Sequence, residues 1–298
     1  MDHVLTRRTL VAVVCLLTTS ACAQSTSKPA ATSDPYERRA DSVIVSESDT
    51  TTLPQLQYIP APPVTELVAS LGDAMVRIRV HELDGPMRAV FSALNMHDDE
   101  STSVDAALDV MRERGGRVVE LVHTGDRNVT FRVDNTDFVA DPNRMFTDVG
   151  RRRTLADKSR DTPEARAALA AFAESVLAAY APGSPAVITL HNNTEDNYTA
   201  SSYAPGGIYE TDAAAVTVHP GSDPDDFFFV TDQGLYDALV ARGFNAVLQD
   251  NDAATDDGSL SVWAAQEGVP YVNVEAQHGH QREQARMIDA LMDALAEL

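Results

Sequence analysis

The stretch 91–103 reads F-S-A-L-N-M-H-D-D-E-S-T-S. Its first half continues an apolar, strand-like run that ends at His97, and Glu100 follows three residues later. A helix is predicted over 102–114, because apolar residues then recur at helical spacing until a Gly-Gly pair. The segment therefore brings an imidazole and a carboxylate into the turn between a strand and a helix.

An imidazole nitrogen and a carboxylate oxygen in one turn suit a zinc ion, which binds both at roughly 2.0–2.2 Å. The plain alternative is a solvent-exposed polar turn, because His and Glu three residues apart are common at surfaces. These two residues alone do not distinguish a zinc site from a polar turn. The order of the polar residues further along the chain favours the zinc site.

Further polar residues follow predicted strands. Asn143 and Arg144 lie in D-P-N-R-M-F after a hairpin-like segment, His191 ends V-I-T-L-H, and Glu275 ends Y-V-N-V-E. Each of them alone could be a capped or ion-paired surface residue. Ligands of open α/β sheets bind at the carboxyl ends of strands, so their succession predicts one shared site.

Strands and helices are predicted to alternate from residue 60 onward, with short runs rich in Val, Ile and Leu. The fold class predicted is α/β: a single domain with a mostly parallel mixed sheet flanked by helices on both faces. The predicted strands are Ala74–Val80, Arg88–Met96, Val118–His123, Val129–Val133, Ala186–Leu190, Asp225–Val230, Asn245–Leu248 and Tyr271–Val274. The predicted helices are Val64–Leu71, 102–114, Pro163–Tyr180, Gly234–Arg242, Ser259–Gln266 and Gln281–Glu297.

This ordered set resembles the zinc carboxypeptidase superfamily. The motifs that carry the resemblance are H-D-D-E at 97–100, D-P-N-R-M-F at 141–146, I-T-L-H at 188–191 and V-N-V-E at 272–275. The 43 residues from Glu100 to Asn143 are closest in spacing to the aspartoacylase and succinylglutamate desuccinylase branch. The likeness covers roughly residues 70–298.

The resemblance implies a role for each matching residue. His97, Glu100 and His191 would bind one zinc ion per chain, Glu275 would be the general base, Arg127 would polarise the scissile carbonyl, and Asn143 and Arg144 would hold a substrate carboxylate. The chemistry is metal-assisted hydrolysis of an amide. The implied substrate carries a free carboxylate near that amide: a peptide C-terminus, an N-acyl amino acid or a cell-wall stem peptide.

The sequence departs from the family in places. The digestive enzymes carry a mobile tyrosine shortly before the segment that corresponds to G-S-L-S-V-W at 258–263, and here no tyrosine stands there. The pocket is therefore expected to be shaped by other residues, with His278, His280, Asn192 and Asn193 as the candidates.

The H-x-x-acid spacing occurs a second time, at His123 and Asp126. Too little chain separates that pair from D-P-N-R to hold the helix that should follow the first two ligands. The pair His97 and Glu100 is therefore preferred as the metal-binding pair.

Two other functions remain open at this point. The chain could be a non-catalytic surface lipoprotein that uses the same fold to bind a ligand. It could also be an esterase or a deacetylase, since the same zinc and glutamate would serve. The complete set of ligands with a base favours an enzyme over a binding protein.

Residues 1–23 are predicted to be a signal segment, with Arg7 and Arg8 before a short apolar run and small residues at the cleavage site. S-A-C resembles a lipobox and favours lipidation of Cys22, while cleavage after Ala23 and a twin-arginine route are the alternatives. The protein is therefore expected to be exported and to face the periplasm or the cell exterior, attached to a membrane by lipid alone.

Residues 24–60 are predicted to be a disordered tether and residues 61–298 the zinc hydrolase domain. Both cysteines lie in the signal segment, so the remaining chain can form no disulfide and relies on its core. The formal net charge is −22, from 45 acidic and 23 basic residues, which argues against a nucleic-acid partner. The sequence does not indicate an oligomeric state.

Overall fold

A mixed sheet of nine strands runs through the described part of this computed structural model, which comprises residues 63–180 and 184–297. The strands are β1 (Val64–Leu71), β2 (Ala74–Leu83), β3 (Ser92–Asn95), β4 (Gly116–Val122), β5 (Val129–Val133), β6 (Thr136–Ala140), β7 (Val187–Asn193), β8 (Ala213–Thr217), β9 (Phe227–Val230), β10 (Asn245–Gln249) and β11 (Tyr271–Gln277). The order in the large sheet is β1-β2-β4-β3-β7-β11-β9-β10-β8, and β5 and β6 form a separate hairpin.

Parallel pairs form the centre of the large sheet. Strands β4, β3, β7 and β11 run parallel to their neighbours in that order, as do β9 and β10. Antiparallel pairs lie on both sides of this centre, at β1–β2, β2–β4, β11–β9 and β10–β8. The predicted α/β class is confirmed, with its parallel part at the strands that carry the site.

Helices cover both faces of the sheet. They are α1 (Ser101–Arg114), α2 (Asp148–Lys158), α3 (Pro163–Tyr180), α4 (Gln233–Ala241), α5 (Leu260–Glu267) and α6 (Gln281–Ala296). Residues of α2, α3 and α5 share one buried apolar cluster, and residues of α1, α4 and α6 share the other. Each fully buried Leu, Ile or Phe side chain stabilises this arrangement by about 1.5–3 kcal/mol.

The two central strands β7 and β11 divide their side chains between these clusters. Ile188, Leu190, Val272 and Val274 pack with α1, α4 and α6. The alternate positions face the layer of α2, α3 and α5, because successive side chains of a strand point to opposite faces. Towards the carboxyl ends of the strands these alternate positions are polar, which leaves room for a site under that helical layer.

Helix α1 ends where the sequence predicts. Its C-cap residue, Gly115, has φ 75°, a left-handed backbone that favours glycine. The backbone of Gly85 crosses close by, and a Cβ on Gly115 would lie 2.6 Å from the Gly85 Cα. The glycine therefore both stops the helix and permits this crossing.

The prediction of a helix at Val64–Leu71 is wrong: this segment is strand β1, antiparallel to β2. Apolar residues at 64, 67, 68 and 71 match helical spacing. Only two of the eight positions, Ala69 and Leu71, are buried. The turn at Gly72, with φ 57°, folds the segment back onto β2 and decides its structure.

Three elements were not predicted, namely β6, β8 and α2. Helix α2 reads D-V-G-R-R-R-T-L-A-D-K and buries only Gly150, Thr154 and Leu155, so it has almost no apolar pattern to detect. Strand β3 is shorter than predicted, since 88–91 form a turn before it. The predicted signal segment and the predicted tether both lie outside the described residues. No helix in the described part is long and apolar enough to cross a membrane.

Candidate metal centre and its surroundings

Neighbouring strands of the parallel centre bring the candidate residues together. His97 follows β3, His191 lies in β7, and Glu275 lies opposite His191 in β11. Strands β3 and β7 are also direct neighbours. All of these side chains are buried, as is Glu100 at the start of α1: the exposed fractions are 1% for His97, 1% for Glu100, 4% for His191 and 4% for Glu275.

His97, Glu100 and His191 form a tight cluster. Glu100 Oε1 lies 2.7 Å from His97 Nδ1, and Glu100 Oε2 lies 2.8 Å from His191 Nδ1. The two Nδ1 atoms are 3.1 Å apart. Three potential ligand atoms of two residue types that zinc prefers therefore converge on one point.

Asp141 fixes the orientation of His97. His97 Nε2 lies 2.9 Å from Asp141 Oδ1, and an ionised carboxylate can only accept, so Nε2 carries the hydrogen. The neutral ring then presents the Nδ1 lone pair to Glu100, and two acceptors at 2.7 Å require a cation or a proton between them. The donor set thus fits a divalent metal ion, with Asp141 as the partner that orients a metal-binding histidine.

The electrostatics of the metal-free cluster agree with this geometry. Burial disfavours the charged form of His97, but the charge of Glu100 and the hydrogen bond to Asp141 outweigh it and raise the His97 pKa to about 9. Burial would raise the pKa of Glu100, yet the two histidines hold it far below its usual range. Burial lowers the pKa of His191. A proton on His97 therefore supplies the positive charge that the cluster needs without an ion.

Arg127 also reaches this cluster. Its Nη1 atom lies 2.6 Å from Glu100 Oε1, and its Nη2 atom lies 3.5 Å from Asp141 Oδ2. The loop that carries it is fastened by Asp98, whose Oδ2 accepts hydrogen bonds of 2.7 Å from the backbone of His123 and of Gly125. His123 thus helps to fix this loop and is not part of the cluster.

Asn143 and Arg144 lie beside the cluster. Asn143 Nδ2 is 3.4 Å from His191 Nε2, and the Asn143 Oδ1 atom accepts a 3.3 Å hydrogen bond from the backbone of Leu260. Arg144 Nη2 lies 3.4 Å from Asp257 Oδ2. The guanidinium that would hold a substrate carboxylate is therefore already paired with a protein carboxylate.

The loop with Asp257 is held against Arg144 by a contact between two glycines. A Cβ on Gly258 would lie 2.4 Å from the Gly150 Cα and 2.5 Å from the Arg144 carbonyl oxygen. Gly258 also has φ 85°, where other residues are strained. No side chain fits at this crossing.

Glu275 has an environment typical of a general base. Burial, with a contribution from the Glu100 charge, raises the Glu275 pKa to about 8, although a hydrogen bond from Asn273 opposes the shift. A carboxyl with a pKa near the ambient pH is suited to take up and release a proton. This makes Glu275 a candidate base on physical grounds as well as by its position.

Two tyrosines near the site were not found from the sequence. The hydroxyls of Tyr198 and Tyr203 are 2.6 Å apart, and the Tyr198 ring packs on Phe227, the register partner of Glu275. Burial raises the Tyr198 pKa, with Tyr203 and Glu275 adding to the shift and Arg144 opposing it. The only sequence signal was the presence of tyrosines in the polar loop after His191.

The residues that were expected to shape the pocket have other contacts. The Asn192 side chain bonds to Gln284, and its backbone N–H donates to Glu100 Oε2 over 3.1 Å. The Asn193 amide donates to the carbonyl oxygens of Tyr198 and Asp225. These asparagines therefore hold backbone in place beside the cluster. His280 pairs with Asp226, and His278 donates its backbone N–H to Asn193.

A second group of possible metal ligands occurs in the described ranges, made up of Asp223, Asp226 and His280. His280 Nδ1 lies 3.0 Å from Asp226 Oδ2, and Asp226 Oδ1 also accepts from the backbone of Gln277. Its members are exposed or partly buried. This group is explained by an ion pair at the start of α6.

No protein-family model matches the chain. No curated protein matches it either. Solved structures do resemble it. The murein-tripeptide amidase of Escherichia coli O157 is 15% identical with a TM-score of 0.36, over 74% of this chain and 86% of that one. The succinylglutamate desuccinylase of Vibrio parahaemolyticus is 13% identical with a TM-score of 0.36, over 80% and 78%.

A metallo-carboxypeptidase of Burkholderia cenocepacia is 10% identical with a TM-score of 0.39, over 79% of this chain and 64% of that one. All three TM-scores are below 0.5 and all three identities are below 25%. A shared fold does not imply a shared activity. The residues of the site therefore have to carry the functional argument.

Proposed function

We propose that the chain is an exported, zinc-dependent hydrolase that cleaves an amide bond close to a free carboxylate. The observation that carries this proposal is the convergence of His97, Glu100 and His191, with the buried carboxylate Glu275 opposite His191 on the next strand. Three ligands and a separate base are what metal-assisted hydrolysis needs.

The three ligands would hold zinc, which when bound supplies Lewis-acid activation of water and of the carbonyl group. Glu275 takes a proton from the attacking water as its oxygen bonds to the amide carbon. The same proton passes from Glu275 to the nitrogen as the C–N bond breaks, which leaves a carboxylic acid and an amine, and the acid then loses its own proton to the amine or to water. Arg127, beside the cluster, supplies positive charge for the oxyanion that develops.

Arg144 would bind the substrate's carboxylate. Its guanidinium can form two parallel hydrogen bonds with a carboxylate, and such a grip fixes the amide relative to the base. Asp257 Oδ2 lies 3.4 Å from Arg144 Nη2, so a substrate carboxylate that binds this nitrogen competes with Asp257. The substrate class is therefore a peptide with a free C-terminus, an N-acyl amino acid or a cell-wall peptide.

A substrate panel with metal analysis tests this function. Purified protein is expected to hold one zinc per chain and to hydrolyse N-acylated dipeptides with a free C-terminus. The matched control is the same dipeptide with an amidated C-terminus, which Arg144 cannot bind and which should react far more slowly. Zinc without hydrolysis of any amide or ester would indicate a binding protein. Faster cleavage of esters or acetylated compounds would change the bond class.

We also propose that the chain is attached to a membrane through lipid on Cys22, facing the periplasm or the cell exterior. The support is the lipobox-like S-A-C after a charged and apolar leader, which lies outside the described residues. Cys22→Ser should move the protein from the membrane to the soluble fraction. An unchanged membrane fraction would contradict lipid attachment, and retention of residues 1–23 would contradict a cleaved signal segment.

A further inference from the structure

Three buried polar side chains form a line on β7 and β11 behind the proposed base. Thr189 pairs with Asn273 in the register of the two strands, as His191 pairs with Glu275. Tyr271 precedes Asn273 on the same face of β11. The exposed fractions are 0% for Thr189, 2% for Tyr271 and 6% for Asn273.

Hydrogen bonds connect these side chains in sequence. The Tyr271 hydroxyl lies 2.6 Å from Thr189 Oγ1, and Thr189 Oγ1 lies 3.3 Å from Asn273 Oδ1. Asn273 Nδ2 lies 2.9 Å from Glu275 Oε2. Buried polar groups need partners, so such a line is stable only if each member is satisfied.

Each hydrogen bond in this line is donated in the same direction, from Tyr271 at one end towards Glu275 at the other. Thr189 has one hydroxyl hydrogen, and Asn273 Oδ1 can only accept, so Thr189 donates to Asn273 and accepts from Tyr271. Burial raises the pKa of Tyr271, so its phenol keeps the proton that it donates. The amide of Asn273 is thereby fixed with its NH₂ group towards Glu275.

Glu275 is left with two different oxygens. Oε2 accepts from Asn273, whereas Oε1 has no hydrogen-bond donor among the described residues. A proton placed on Oε2 would take up one of its lone pairs and weaken the bond from Asn273, the donor that holds the side chain. A proton on Oε1 leaves every bond of the line in place.

We propose that Asn273, oriented by Thr189 and Tyr271, is a positioning residue that holds Glu275 through Oε2 and so makes Oε1 the atom that exchanges the proton during hydrolysis. This inference rests on the proposed function. Asn273 does not touch the substrate; it sets the direction and the reacting oxygen of the base.

Paired substitutions in the zinc-loaded, full-length protein test this. Asn273→Ala should lower kcat by about 10- to 100-fold, since small displacements of a catalytic group cost that much, with KM and zinc content unchanged. In a Glu275→Gln background the same substitution should change kcat by less than about twofold, because there is no base left to position.

Thr189 provides an isosteric control. Thr189→Val removes the donor that orients Asn273 and should lower kcat by about 3- to 10-fold, while Thr189→Ser keeps the hydroxyl and should restore most of it. The double variant Asn273→Ala/Thr189→Val should be no slower than Asn273→Ala alone, since Thr189 acts through Asn273. Melting temperatures show whether each variant is folded.

The outcomes separate this inference from the proposed function. If the wild type hydrolyses the panel but Asn273→Ala keeps its kcat, or loses equal factors with and without Glu275, the positioning role is overturned and the hydrolase stands. If the folded Thr189→Ser is as slow as Thr189→Val, the orientation by Thr189 is overturned. A zinc-loaded wild type that hydrolyses nothing overturns the proposed function and this inference with it.

Discussion

Among the described residues, two groups bring three possible metal ligands together, and they differ in what surrounds them. Around His97, Glu100 and His191 the side chains are almost fully buried, and Asp141 occupies the far nitrogen of His97. The His280 side chain is 32% exposed, and its Nδ1 atom is already paired with Asp226. Ligand types alone do not distinguish the groups; burial and the outer partner do.

The difference has an electrostatic reason. Bringing two imidazoles and a carboxylate out of water costs free energy that a mutual ion pair recovers only in part. The first group therefore favours a divalent cation or a proton, and the raised pKa of His97, about 9, reflects this demand. In the second group water solvates the charges, so this group needs no bound cation or extra proton to the same degree.

Substitution of one histidine in each group tests the contrast most strongly. His191→Ala should lose most of the bound zinc and all measurable hydrolysis, because it removes one of three protein ligands. His280→Ala should keep one zinc per chain. Metal analysis after gel filtration measures both. Full zinc in His191→Ala, or its loss in His280→Ala, would reverse the assignment of the two groups.

Glu275→Gln should separate metal binding from catalysis at the first group. The amide keeps the shape of the side chain but cannot take a proton from water, and general base catalysis typically contributes 10²–10⁴-fold. We expect kcat to fall by about that factor with zinc content intact. Loss of zinc in this variant would make Glu275 a ligand, and an unchanged kcat would place the base elsewhere.

The outer partner can be tested by a matched pair of substitutions. Asp141→Asn should weaken zinc affinity by about 10- to 100-fold, because His97 loses the acceptor that orients it. Asp226→Asn is the equivalent change in the second group and should leave zinc affinity unchanged. Competition with a chromophoric chelator measures both affinities. Equal zinc affinities in the two variants would show that Asp141 does not orient His97 for zinc binding.

The stability of the metal-free protein should depend on pH in a defined direction. His97 has a pKa of about 9 in the folded chain against a usual 6.5, so its contribution is complete below 6.5 and is lost as the pH rises through 9. The pKa of Glu275 is raised from 4.5 to about 8, so its carboxyl ionises more readily in the unfolded chain and lowers the stability of the folded chain as the pH rises from 4.5 to 8.

Both His97 and Glu275 therefore lower the stability of the metal-free chain as the pH rises. A pKa difference of one unit between the folded and unfolded chains corresponds to about 1.4 kcal/mol of stability. Chelator-treated protein should melt at a lower temperature at pH 9 than at pH 6. Glu275→Gln should show a smaller decrease, since one of the two groups no longer titrates. A melting temperature that rises over this range would contradict the electrostatics of the cluster.

The fold class and the meeting of the candidate residues could be predicted from the sequence. Buried strands with short Val-rich runs identify the parallel centre, and its strand ends must lie together, so His97, His191 and Glu275 could be placed before their neighbours were known. The metal, its identity and the role of each residue remain predictions. The local sequence pattern was sufficient to predict a helix or strand wherever that element buries a regular apolar face.

Other features could not be predicted because they depend on tertiary contacts. The apolar spacing of Val64–Leu71 is helical, and only pairing with β2 makes it a strand. Asp141 lies within a recognised motif, but its bond to His97 spans two elements. Tyr198 and Tyr203 belong to a loop without periodicity, and Asn273 looks like any polar strand residue until Thr189 lies opposite it.

The crossing of Gly150 and Gly258 has a consequence for how the carboxylate site can vary. A methyl group on either glycine would meet backbone atoms at 2.1 to 2.4 Å, and backbone cannot move aside as a side chain can. The segment with Asp257 would be wedged away from Arg144. The position of Arg144, the proposed anchor for the substrate, thus depends on two residues without side chains, and a larger residue fits at neither position.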